Sequence, residues 1–132
     1  MKPDTPCPCG TGKLLSVCCG PFVEGAAQAQ TAEQLMRSRY TAYVVGRADY
    51  LTATWHPTTR RRDVGLDPAV TWIDLKILRT KGGSTADKEG VVEFVARYKI
   101  GGRAHRLHEA SRFVRRDGQW LYVHGELDPS ST

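Results

Sequence analysis

Four cysteines, Cys7, Cys9, Cys18 and Cys19, fall within thirteen positions near the start of a 132-residue chain, and the 113 residues after them contain none. Clustering of this kind marks a local device. The segment Cys7-Pro8-Cys9-Gly10-Thr11-Gly12-Lys13 is rich in turn formers and poor in large apolar side chains. Burial within such a segment cannot offset the entropy lost on ordering it. The spacing C-x-C-x8-C-C supplies four soft sulfur donors, a set that suits a tetrahedral ion better than pairing into disulfides. Zn²⁺ is the default occupant and a copper(I)-type soft ion the alternative. A redox dithiol would show C-x-x-C at a helix N-terminus beside a strand, and that context is absent. Gly10 and Gly12 permit tight turns whose amide N–H groups can donate to sulfur, and Lys13 is placed to offset the thiolate charge. Gly10-Thr11-Gly12-Lys13 is no phosphate loop, because the first glycine is missing and Leu14 stands where the hydroxyl belongs.

The rest of the chain reads as one small globular domain, with 40% hydrophobic and 25% charged residues overall and a mean hydropathy of −0.42. No apolar run reaches the roughly 18 residues of a membrane span, and Met1-Lys2-Pro3-Asp4 does not resemble a signal peptide. A soluble cytoplasmic protein without membrane insertion is expected, in a compartment that disfavours structural disulfides. The formal charge of +5 comes from thirteen Arg and six Lys against fourteen acids. Arg60-Arg61-Arg62 form one run, and seven basic residues meet only Glu109 between Arg97 and Arg116. Such stretches attract phosphate backbones or acidic surfaces, so nucleic acid is a candidate partner of the basic body; a solvated Arg-rich surface is the simpler reading.

Gly20-Pro21 closes the head, which is assigned to residues 1–25, and the body to residues 26–132. Thr31 followed by Gln34 reads as a capping box for a helix carrying Leu35, Met36, Tyr40, Tyr43 and Val44, stopped by Gly46. A short second helix is expected over residues 49–55, ended by His56-Pro57, and a loop over 60–68. The period then becomes two. A half-buried strand over 71–80 places Ile73, Leu75 and Ile77 on one face and Trp72, Asp74 and Lys76 on the other. A second strand over 91–100 aligns Val92, Phe94, Ala96, Tyr98 and Ile100. Gly101-Gly102 and Asp117-Gly118 turn the chain into strands over 103–116 and 119–124. Helices followed by an antiparallel meander make an α+β fold.

Cys7-Pro8-Cys9-Gly10-Thr11-Gly12-Lys13 through Cys18-Cys19-Gly20 resembles the SEC-C motif, whose usual form is C-P-C-G-S-G-K with a closing C-C or C-H pair; Thr11 replaces Ser. The resemblance implies Zn²⁺ held by Cys7, Cys9, Cys18 and Cys19. In that family the motif on the SecA preprotein translocase tail engages SecB and the ribosome, which implies a protein or ribonucleoprotein partner for the head. The SecA tail ends in Cys-His, so the closing Cys18-Cys19 departs from the pattern tied to SecB. In the body, Leu35-Met36-Arg37-Ser38-Arg39-Tyr40-Thr41-Ala42-Tyr43, Thr54-Trp55-His56-Pro57 and His108-Glu109-Ala110-Ser111-Arg112-Phe113 resemble the YchJ-like bacterial proteins. That uncharacterised family joins a SEC-C head to a nuclear-transport-factor-2-like domain. The implied body is a cone, with N-terminal helices packed on a curved antiparallel sheet around a cavity.

In the third strand Leu107, Glu109, Ser111 and Phe113 share the face expected to point inward, which sets Glu109 and Ser111 at the cavity. An enclosed carboxylate without a partner could act as a general base, with His56, Arg39 and Tyr43 as helpers. The structural alternative pairs Glu109 with Arg39 or Tyr43 and ties helix to sheet. Trp55, Trp72 and Trp120 are read as core and sheet-face residues. Two functions follow from these readings: a zinc-binding interaction module, more in keeping with a non-enzyme, or a small-molecule-binding protein or small isomerase- or hydrolase-type enzyme using the cavity. Replacing Cys9 by Ser is expected to loosen the head and leave the body's thermal transition nearly unchanged.

Overall fold

The computed structural model describes residues 4–127. A short helix α1 (Gly20–Val23), the long helix α2 (Ala32–Val45) and α3 (Ala48–Ala53) precede four strands, β1 (Val70–Gly82), β2 (Glu89–Ile100), β3 (Arg103–Arg116) and β4 (Gln119–Leu127). The strands pair antiparallel in sequence order, and α2 lies against β1, β2 and β4. The expected α+β fold is the observed one.

Local chemistry accounts for the helix ends. The Gln34 amide donates to Thr31 Oγ1 at 3.1 Å, and Gly46 closes α2 in the left-handed conformation, the N- and C-terminal signals foreseen. The Gln34 side chain departs from the box by one position, accepting from the Gln30 amide at 2.7 Å. Helix α3 is shorter than expected and leaves Trp55 outside it. Instead, Trp55 forms a parallel bridge to Tyr122 of β4. The His56 amide donates to Tyr122 O at 2.7 Å and the Tyr122 amide to Thr54 O at 2.8 Å, so the segment after α3 is stitched to the sheet.

The meander matches the predicted order, with β4 running past residue 124 to Leu127. In β1 the faces differ from simple alternation. Trp72 pairs with Tyr98 and Asp74 with Arg97, leaving Ile73 as an extra residue; a second irregularity falls between Ile77 and Arg79. A bulge shifts the side-chain phase by one. Trp72 therefore joins Leu75 and Ile77 on the inner side, while Ile73, expected there, is exposed. Gly83 and Gly90 allow two backbone segments to approach closely: a Cβ on Gly90 would lie 2.6 Å from Gly83 Cα, where Ala32 N donates to Gly83 O at 3.0 Å and seats the start of α2 on the hairpin.

The main core contains Leu35, Met36, Tyr40, Phe94, Phe113 and Trp120, and with them Cys7, Cys9, Leu15 and Cys19 of the head. Head and body thus share one hydrophobic core. A smaller cluster gathers Val23, Ala42, Leu51, Trp55 and Val64 behind α2. No helix among the described residues is long and apolar enough to cross a membrane.

Candidate metal centre and cavity

Loop geometry brings the cysteines together. Pro6 and Leu14 form an antiparallel bridge, and the Cys7 amide donates to Lys13 O at 2.8 Å, so residues 7–13 fold back on themselves. Gly10 and Gly12 sit at φ +85° and +83°, conformations that a side chain would strain. A turn of 3-10 helix, Leu15–Val17, then delivers Cys18 and Cys19 to the entrance of α1. All four cysteines are free thiols, and their Sγ atoms lie within 4.8 Å of one another. Cys9 and Cys18 are 3.6 Å apart. Ligands at about 2.3 Å around a tetrahedral centre stand about 3.8 Å from one another. The cluster therefore could hold a metal ion.

Its surroundings suit thiolate sulfur. Thr11 Oγ1 is 3.1 Å from Cys18 Sγ and 3.8 Å from Cys9 Sγ, so the Ser-to-Thr departure keeps the hydroxyl. Thr41 of α2 comes within 3.7 Å of Cys7 Sγ. Hydrogen bonds from the Cys19 and Cys9 side chains, against the effect of burial, hold the Cys7 thiol far below its ordinary range, and the Cys9 and Cys19 backbones also donate to it. The same sharing pushes Cys19 up, with burial acting the same way. Burial is the main cause of the rise at Cys18. Cys9 is 0% exposed and only Cys18 reaches solvent appreciably, which disfavours redox exchange and suits a structural site. The cation against the cluster is Arg37 of α2, whose Nη1 donates to Cys9 O at 2.7 Å; Lys13, expected in that role, is exposed. Burial opposes the Arg37 charge, but Glu33 and Cys9 hold its pKa above the ordinary value.

Across α2 a cavity of about 280 Å³ opens between the helix and the inner sheet face, with Arg39, Tyr43, Trp72, Glu109, Ser111 and Tyr122 in its wall. Four of the five cavity residues foreseen from sequence, Arg39, Tyr43, Glu109 and Ser111, meet there. His56 does not line it. Its Nδ1 turns to Thr58, 2.7 Å from the hydroxyl and 3.2 Å from the amide that donates to it, because the backbone of His56 is spent on the bridge to β4. Neither structural pairing foreseen for Glu109 occurs. Arg39 Nη1 donates to Leu51 O at 2.8 Å and Thr54 Oγ1 at 2.7 Å, and Tyr43 Oη donates to Val64 O at 2.8 Å. Glu109 instead accepts from Ser111 Oγ at 3.1 Å. Burial raises its pKa and Ser111 works the other way. Burial, with Glu109 adding to it, also pushes the Tyr122 hydroxyl up to about 12.

Three contributors escaped the sequence reading. Trp55 and Trp72 pack in the core, as read from sequence, and both also stand in the cavity wall, a placement that the bulge at Ile73 conceals for Trp72. Gly125 lies against the carboxylate, since a Cβ there would fall 1.6 Å from Glu109 Oε1. A lone glycine inside a strand pattern is the signal that could have found it. On the surface, the basic stretches are partly committed: Arg97 pairs with Asp74, Arg115 donates to Thr85 O, and Arg60 Nη2 donates to Trp55 O at 3.0 Å.

Comparison with known proteins agrees with this architecture. Residues 31–125 match the family described as YchJ, middle NTF2-like domain. A UPF0225 protein of Chromobacterium violaceum is 55% identical, over 90% of this chain and 90% of its own; one of Streptomyces coelicolor is 51% identical, over 95% and 98%. The solution structure of a SEC-C motif containing protein from Rhodopseudomonas palustris superposes with a TM-score of 0.83 at 34% identity, covering 92% of this chain and 98% of that one. A crystal structure of a SEC-C motif containing protein from Psychrobacter arcticus gives 0.78 at 25% identity, over 98% and 84%. The chain belongs to the YchJ-like family, with a SEC-C head and an NTF2-like body.

Proposed function

From that membership we propose that the chain is a zinc-clamped interaction module of the bacterial cytoplasm, docking through its head on a protein or ribonucleoprotein surface. One observation carries the reading: the sulfurs face the core, whereas Val17 and Leu14 on the same head are 68% and 46% exposed. An apolar pair held outward on one turn of the head supports a contact surface for a partner. The donor set supports zinc over harder ions, since Cys7, Cys9, Cys18 and Cys19 present sulfur alone. Zn²⁺ bound there would supply a cross-link between the two halves of the loop, and a four-thiolate set leaves no open position for a substrate.

Elemental analysis of protein purified without added metal should return about one zinc per chain; less than about half, with freely reacting thiols, overturns the clamp. Capture of partners from bacterial lysate should fail with Leu14→Ser/Val17→Ser and persist with the unmodified chain. Equal capture by both overturns docking through the head. If the partner contains RNA, exposed Arg61 and Arg62 would add a salt-dependent contribution.

A second reading, a small-molecule-binding protein or small enzyme, is favoured by one specific observation. Glu109 is held by a single hydroxyl inside a cavity, the setting in which burial raises a carboxylate's pKa and fits it to act as a general base.

A further inference from the structure

The cavity encloses a guanidinium and a carboxylate that do not pair with each other. Arg39 is 5% exposed, and among the described residues no carboxylate lies within ion-pair distance of it. Two acceptors take its Nη1, and the group stacks over Trp55 and Tyr122 at 4.6–5.3 Å. Cation–π contact offsets only part of the desolvation of a buried charge. Glu109, on the facing sheet, has Ser111 alone, and no basic side chain of the described residues reaches it. Trp55 Nε1 adds a buried donor with no acceptor. A guanidinium without a carboxylate thus stands on the helix side of the void, and a carboxylate without a cation on the sheet side.

Resting on the small-molecule reading above, we infer that the cavity binds a small zwitterion of amino-acid type, its ammonium at Glu109 and its carboxylate toward Arg39. At about 280 Å³ the void falls just below the usual range of ligand cavities, roughly 300–1,000 Å³, which limits it to a small molecule and excludes a dinucleotide-sized cofactor. Tyr43, Trp72, Phe94 and Tyr122 in the wall suit an apolar or aromatic side chain between the two charged ends. A neighbouring pocket shares Tyr43, Trp55 and Tyr122 with the cavity and carries Arg61. Neither end of such a ligand alone relieves both buried charges; a dipolar molecule relieves both.

Tryptophan fluorescence reports on the site, because Trp55 and Trp72 line it. Four probes of one shape separate the contributions: L-phenylalanine, phenethylamine, 3-phenylpropionate and benzyl alcohol, titrated into the zinc-loaded chain. L-Phenylalanine is expected to bind at least about tenfold more tightly than either singly charged probe, a factor of ten being about 1.4 kcal/mol. Glu109→Gln should bring it down to the level of 3-phenylpropionate. Ser111→Ala, which removes the hydroxyl on Glu109, should weaken L-phenylalanine and leave 3-phenylpropionate unchanged. Phenethylamine binding as tightly as L-phenylalanine overturns the bridge. So does phenylalanine binding unaltered in both variants. Benzyl alcohol binding as well as L-phenylalanine sinks the zwitterion and leaves the small-molecule reading standing; no response to any probe sinks both.

Discussion

On one side of α2 four thiols converge until their sulfurs lie within 4.8 Å of one another, while on the other Arg39 and Glu109 face one cavity without meeting. Residues of a single helix serve both, Arg37 and Thr41 toward the head, Arg39 and Tyr43 toward the void. Each pair is four apart and so shares a helix face. Like groups brought together by a short loop can all be satisfied by one cation at their centre. Opposite charges carried by separate elements are each held by their own neighbours, Leu51 and Thr54 for Arg39, Ser111 for Glu109. The first arrangement is closed. The second keeps unspent hydrogen-bonding capacity.

The largest expected effect tests whether the closed cluster is a separate unit. Cys9 is fully buried in the core that also holds Leu35 and Phe94, so Cys9→Ser should lower the stability of the whole chain. A loss on the order of 3 kcal/mol or more is expected, which moves a single thermal transition down by roughly 10 °C. Two transitions by calorimetry, with the larger one unmoved, would restore the autonomous head expected from sequence.

Gly125→Ala comes next. The new Cβ would stand 1.6 Å from Glu109 Oε1 and 2.4 Å from Cδ, so the carboxylate must leave its place, at about 1–3 kcal/mol. Combining it with Glu109→Ala should recover most of that loss; additive losses in the double-mutant cycle would break the contact.

Arg37→Ala removes the strap from α2 to Cys9 O and sharpens the division between the two sides. About 1 kcal/mol of stability should go, with faster loss of metal to a chelator and no change in the tryptophan signal of the cavity. The exposed Glu33 pair adds little to that figure.

The smallest effect is a pH dependence at Glu109, whose pKa is raised above its ordinary 4.5 by burial. The folded state then holds the proton longer than the unfolded chain. The contribution is fully present below the ordinary value and is lost as pH rises through the raised one. Glu109→Gln should therefore match the unmodified chain near pH 4 and gain on it as pH rises, in urea unfolding; a gap that narrows with rising pH contradicts the buried, unpaired carboxylate.

Where side-chain spacing alone determines proximity, the sequence was legible. Cys7 to Cys19 lie within thirteen residues whose turn formers bend the chain back on itself, Thr31 and Gly46 end α2 by local hydrogen bonding and local backbone conformation, and Gly101-Gly102 turn β2 into β3 at φ +57° and +78°. Leu107, Glu109, Ser111 and Phe113 fall on the inner face as period two requires, because β2 and β3 pair without interruption. The bulge at Ile73 broke the same rule in β1 and moved Trp72 into the cavity wall. Its cause lies in the fit of β1 to β2, which alternation within β1 does not record. His56 failed as a cavity residue for a similar reason, since its direction is set by the bridge to Tyr122 across the fold.

By itself, then, the sequence determined the donor set, the helix caps, the strand order and the family, all properties of residues within a few positions of one another or of patterns with a fixed period. Tertiary structure alone decided that the cysteine head is built into the body's core, that Arg39 and Glu109 stay apart, and that Gly125 makes room for the carboxylate. These depend on distances between elements far apart in the chain. Packing of the whole sets such distances, because each local preference is worth only about a kilocalorie per mole against the much larger sum of core burial.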